Sequence, residues 1–314
     1  MSRYPLNNTP VDSVENDRPM AYCLEHSDKN TQSALRRIAI EEIDAALVEM
    51  DDPAMNLHEK VHQLRKRAKR LRGLLRLVRP AFPDFETENA TIRDAARRLS
   101  GLRDREGMVE THDKLVAALD IEGFDPVRAY LVALRDEAAA RAHVEDDLAA
   151  FRETLLDLRA RARGWRLTEK GFGAIRAGME KTFDRARKAR RLAADATDQR
   201  AIHDWRKRVK YHWYHTRLLA PLAPNKMDRR ADRAKELSEI LGDHHDLAVL
   251  DDFIATADGL PGDPALWSAF RDHIATRQRL LDQEAQGLGL RLFASPTKEL
   301  GKRWSRWWKR WRAA

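Results

Sequence analysis

The chain has 314 residues, the length of about two average domains or of one domain built in two halves. Hydrophobics at 43% allow a large core; one cysteine, Cys23, excludes a disulfide framework and a multi-cysteine zinc site, and no apolar run nears the ~18 residues that span a bilayer. The 58 Lys+Arg against 50 Asp+Glu leave only +8, but the cations concentrate in two segments, 60–79 and 200–217, which implies a polyanionic partner.

Residues 1–28 are polar and aperiodic, so a loose N-terminal arm is predicted. They contain no apolar signal region, and with a single cysteine a cytoplasmic location is expected. Beyond them Ala, Leu, Arg and Glu dominate and nothing alternates at the strand period, which predicts an all-α chain. Helices are predicted near 31–50, 57–79, 87–100 and 105–119, and one long helix near 126–162. The break GWRLTEKGFG (Gly164–Gly173) divides a first helical half, 29–163, from a second, 164–314. Further helices are predicted near 169–194, 198–219, 226–241, 245–257, 263–286 and 296–312, with Gly287 and Gly289 read as stops.

An internal repeat carries the main signal. At an offset of 141, His62 meets His203, Arg65 meets Arg206 and Lys66 meets Lys207; Arg67 meets Arg208, Lys69 meets Lys210 and Arg76 meets Arg217. Downstream, Leu99–Asp104 parallels Leu241–Asp246. The chain therefore reads as two equivalent helical units of ~140 residues, each long enough for a four-helix bundle.

At 100° per residue, Val61, Leu64, Ala68, Leu71, Leu75 and Val78 form the core face of the first repeated helix. His62, Arg65, Lys66, Lys69, Arg72 and Arg76 form a second stripe beside it. The second helix faces inward with Ile202, Trp205, Val209, His212, Thr216 and Leu219, and carries His203, Arg206, Lys207, Lys210 and Arg217 on the other face. Cations at these spacings repel one another and lower helix stability. A line of phosphates compensates, because each neutralised phosphate releases counterions. Arg187 and Arg191 on the preceding helix are candidates to extend the same basic wall.

The segments His62-x-x-Arg65-Lys66-x-x-Lys69-Arg70-x-Arg72 and His203-x-x-Arg206-Lys207-x-x-Lys210 resemble the paired signatures of the CHAD family, the conserved-histidine α-helical domain. Leu99–Asp104 and Leu241–Asp246 are similar to its second signature, and Pro296, Leu300, Trp304, Trp307 and Trp308 to its ending, so the resemblance runs from about Ser27 to Arg312. It implies two four-helix bundles related by a pseudo-twofold around a basic central cavity that binds inorganic polyphosphate without catalysis. Association with polyphosphate or other storage granules is compatible with such binding. Tyr211 and Trp213 stand where the first half has Arg70 and Arg72, and His245 where it has Arg103, so the second half is expected to grip phosphate with fewer cations. Neither a cofactor nor a resident metal is expected. If His62 and His203 gain protons beside phosphate, affinity should rise as pH falls from about 8 to 6.

Two alternatives come from other chemistry. His244-His245-Asp246 with His203, His212, His215 and Asp251 offers the ligand types of an HD-type metal-dependent phosphohydrolase. A nucleic-acid-binding helical protein would also use basic faces, although Trp213 is the one aromatic among the stripes and no stacking platform is evident. Glu86-Thr-Glu88-Asn-Ala90 lacks the lysine of the triphosphate tunnel motif that often accompanies CHAD domains, and no nucleotide-binding or hydrolase motif occurs. The C-terminal Trp304, Trp307, Trp308 and Trp311 share one helical face, predicted to close the second bundle, with binding to a surface as the other use of such a helix.

Overall fold

Several helices begin where the sequence offers a cap. Asn30 accepts from the Ser33 N–H at 2.9 Å while the Ser33 hydroxyl accepts from the Asn30 N–H, and Asn56 with Glu59 repeats the device. The computed structural model describes residues 22–99, 101–141, 144–195 and 199–314, without the side chains of 101–104, 139–141, 195 and 199. Among the described residues the fold is all-α: eleven helices and two 3-10 turns, with no strand.

The helices are α1 (Thr31–Asp51), α2 (Leu57–Val78), α3 (Phe85–Arg98), α4 (Gly101–Leu119), α5 (Asp125–Arg141) and α6 (Val144–Ala162). They continue as α7 (Gly173–Asp195), α8 (Gln199–Leu218), α9 (Pro224–Thr256), α10 (Pro264–Leu292) and α11 (Thr297–Ala313). The 3-10 turns, Arg79–Ala81 and Ala220–Leu222, follow α2 and α8 and each carries a proline that cannot continue the helix. Packing runs α1 on α2 and α6, then α2 on α3, α7 and α8; α8 packs on α7 and α9, α9 on α10 and α4, and α11 on α7. Both core faces are as predicted: Val61, Leu64, Ala68, Leu71, Leu75 and Val78 are buried, and so are Ile202, Trp205, Val209, His212, Thr216 and Leu219.

Several expectations are corrected. The two helices predicted near 226–241 and 245–257 are the single helix α9. Gly242 is the one breaker between them, and a lone glycine costs a helix only about 1 kcal/mol relative to alanine. Gly287 and Gly289 lie inside α10 and do not stop it. A Cβ at Gly289 would lie 2.5 Å from the buried Trp205 ring, so that glycine marks close helix packing. Within the stretch expected to be a loose arm, Tyr22–Asp28 is held down: the Tyr22 hydroxyl donates to the Arg70 carbonyl at 2.5 Å, and the Arg37 guanidinium donates to both Asp28 oxygens at 2.8 Å. Residues 1–21 lie outside the described residues, as do 142 and 143, on which the single helix predicted over 126–162 depends. The Trp-rich helix packs into the second half: Trp304 stacks on His212, Trp308 meets Phe172, and Trp304 and Trp311 are buried.

Candidate functional site

The two signature helices touch. A Cβ at Gly73 of α2 would lie 3.0 Å from Cβ of Tyr214 on α8, and His215 Nε2 is 3.1 Å from the Gly73 carbonyl oxygen. Only a residue without a side chain lets the backbones approach so closely. The crossing sets the basic stripe of α2 beside residues of α8.

On α2, His62, Arg65, Lys66, Arg72 and Arg76 are half-buried and Lys69 is exposed. Arg65 donates to the Ala96 carbonyl of α3 at 3.2 Å. Asn89, also on α3, accepts from Arg72 at 3.2 Å and from Arg76 at 2.6 Å, so one neutral amide oxygen orients two guanidinium groups. Across the crossing the Arg76 guanidinium lies 4.1 Å from the Tyr211 ring centroid. Burial, assisted by Arg72, Arg208 and Arg79, pulls Arg76 down to about 10.

On α8, His203, Arg206, Lys210 and Arg217 are half-buried and Lys207 is exposed. The His203 ring lies 4.2 Å from that of His245 on α9, and its Nδ1 is buried without a hydrogen-bond partner. Burial first, then His245, Lys207 and Arg206, lower His203 to about 4. Burial and Arg206 lead the causes that bring His245 to about 4 as well. Gly242 leaves room for Arg206, whose Nε would lie 3.4 Å from a Cβ there. Trp213 is buried and faces two cations, Lys210 at 4.1 Å and Arg217 at 5.5 Å from its ring centroid. Lys207 has a nearby acid, Asp204 at 3.6 Å.

Not every predicted residue joins. Arg187 is half-buried and Arg191 exposed on α7, and among the described residues neither forms a hydrogen bond or ion pair with the other candidates. The side chains of Arg103 and Asp104 lie outside the described residues. Sequence reasoning missed Asn89, and it missed Arg79, Arg185 and Arg208, which surround Arg76 from three other elements. The repeat did flag Arg208, as the counterpart of Arg67, but helical projection set it off the stripe.

Of the residues of the metal reading, His203 and His245 lie side by side, but others are engaged elsewhere. His212 is buried and accepts from Arg230 Nε at 2.9 Å, His215 is spent on Gly73, and Asp251 holds Arg271 at 2.6 Å. Among the described residues no three His, Cys, Asp or Glu side chains converge as metal ligands. Likewise, no described helix is long and apolar enough to cross a membrane.

No curated protein and no solved structure matches the chain. The CHAD domain family model does match, over residues 37–255, well over half of the sequence and spanning both signature helices. The chain therefore belongs to the CHAD domain family.

Proposed function

We propose that this protein binds inorganic polyphosphate, without catalysis, through the cation stripes of α2 and α8. The carrying observation is the crowding of cations along two touching helices: Arg76 sits near Arg72, Arg79 and Arg208, and His203 and His245 near Arg206 and Lys207. Such a surface repels itself until an anion neutralises it. A flexible polyanion with a charge on every unit meets that need along the whole stripe. Tyr211 and Trp213, the aromatic replacements of the second half, support Arg76, Lys210 and Arg217 from below by cation–π contact.

The two-halves reading is part of the proposal. It is supported by the 3-10 turns Arg79–Ala81 and Ala220–Leu222, which lie at the offset of 141 that relates the signatures. Gly73 and Tyr214 are also 141 apart, and equivalent residues of two equivalent helices meet where a twofold axis passes. A central cavity between the halves and residence on storage granules follow from the family resemblance. Nucleic acid is the competing polyanion, but Trp213 is buried with cations on its ring and so offers no face to a base.

The deciding experiment is competition binding among long polyphosphate, orthophosphate, single-stranded RNA and duplex DNA at two salt concentrations. Tightest binding to long polyphosphate, without its hydrolysis in the presence of Mg²⁺ or Mn²⁺, is expected. RNA or DNA displacing polyphosphate at equal charge concentration would overturn the reading, and turnover lost in His245→Ala would replace it with a hydrolase.

A further inference from the structure

A second basic feature adjoins the end of the α2 stripe. Where α7 meets the end of α2 and the middle of α8, a small, partly open cleft is lined by Arg76, Arg79, Lys181, Arg185, Arg208 and Tyr211. Two carboxylates answer these five cations: Asp204 accepts from Arg208 at 3.0 Å and Glu86 from Arg79 at 2.5 Å. Among the described residues, Lys181 and Arg185 have no carboxylate within ion-pair distance. Three positive charges are left over around one small space. Burial, with Arg208 and Arg79 beside it, also lowers Arg185 from its ordinary value.

The first half of the chain treats the corresponding place differently. At the offset of 141, Arg208 corresponds to Arg67, which is held by Glu42 at 3.1 Å and Glu49 at 2.7 Å. Phe183 and Arg190 stand where those two glutamates would be, and Arg185 stands in the place of Asp44. The same helix contact is thus charge-compensated in one half and left cationic in the other.

The cavity is closed on one side. A Cβ at Gly178 would lie 2.0 Å from the Leu77 carbonyl oxygen, so the α7 backbone rests directly on the last turn of α2. A chain cannot run through that wall, but its end can stop there. Arg76 belongs both to the α2 stripe and to this cavity, so a phosphate chain lying on α2 reaches it without a gap. A terminal phosphoryl group carries close to two negative charges at neutral pH and three outward oxygens, whereas an internal unit carries one charge. Three leftover cations with the Tyr211 and Thr182 hydroxyls fit the former.

We propose that this cavity seats the terminal phosphoryl group of a phosphate chain, an inference that rests on the polyphosphate reading. The test compares tripolyphosphate with free ends, tripolyphosphate with both ends esterified, pyrophosphate and orthophosphate. Each is titrated into the wild-type protein and into Lys181→Gln/Arg185→Gln. Lys181 is exposed and Arg185 half-buried, and unchanged far-UV circular dichroism confirms that the variant folds. Esterifying the ends should weaken wild-type binding by about tenfold, the scale of one lost charge-assisted hydrogen-bonding group. The double variant should show the same affinity for both forms. Equal affinities in the wild type, or an undiminished preference in the variant, would overturn the proposal. So would orthophosphate binding as tightly as free-ended tripolyphosphate, which assigns the cavity to the free ion. Pyrophosphate binding that the variant loses supports the seat even if long polyphosphate fails to bind, which separates this inference from the function it rests on.

Discussion

His203 and His245, ring to ring at 4.2 Å beside Arg206 and Lys207, form the most pH-sensitive group among the candidates. Both are held near 4 in the free protein, below the ordinary 6.5, so they are neutral at pH 7 and oppose folding once acid drives protons on. The stability tied to this pair is present above about pH 6.5 and is lost as pH falls toward 4. Bound phosphate reverses the pressure, so binding takes up protons and affinity should rise as pH falls through that window. The gain is limited to about tenfold per pH unit for each histidine that titrates. This places the proton linkage lower than the interval of about 8 to 6 set by unperturbed histidines. Affinities at about pH 7, 6 and 5 should show a steeper trend in wild type than in His203→Gln/His245→Gln; identical trends would dismiss the pair as proton acceptors. Glu42 illustrates the opposite use of charge. It is 2% exposed and holds Arg67 at 3.1 Å and the buried Arg70 at 3.4 Å, so Glu42→Ala removes a buried carboxylate that two cations share. Its unfolding free energy in urea should fall by about 3 kcal/mol. A loss near zero would make the network idle.

At the scale of elements, what the sequence could reveal divides by range. The α2 and α8 core faces and stripes follow from 3.6-residue periodicity, and all twelve inward residues are buried. Glycines mislead because their meaning is set by partners distant in sequence. Gly289 reads as a stop and serves Trp205; Gly178 reads as nothing and fits α7 against Leu77. Arg185 is silent in the sequence for the same reason: its value depends on α7 meeting α2, a contact with no local signal. Asn89 is likewise one polar residue among many until α3 packs on α2. Gly178→Ala should cost about 1–3 kcal/mol, since the clash is with backbone that cannot rotate away. Gly107→Ala in α4, where a Cβ would meet nothing within 4 Å, should stabilise by up to about 1 kcal/mol. Thermal melts of the two variants should move in opposite directions, and a shared direction would refute the packing argument.

At the scale of the whole molecule, the question is whether two stripes on two helices hold one ligand. The helices touch at Gly73 and Tyr214, and Arg76 of one lies over Tyr211 of the other, so a chain crossing from α2 to α8 meets no gap in positive charge. Each cation that neutralises a phosphate on a single strand steepens the log–log salt dependence by about 0.7. Arg65, Lys66 and Lys69 changed together to Gln should therefore flatten the slope by about 2, and so should Arg206, Lys207 and Lys210. The helices should persist, because glutamine is a fair helix former and none of the six belongs to the inward stripes. With all six changed, the slope should fall by about 4 if one polyphosphate molecule spans both halves. A triple variant with an unchanged slope would remove its stripe from the binding surface. If each triple variant instead halved the number of molecules bound and left the slope of the rest untouched, each half would hold its own chain, and the crossing at Gly73 would join two independent sites.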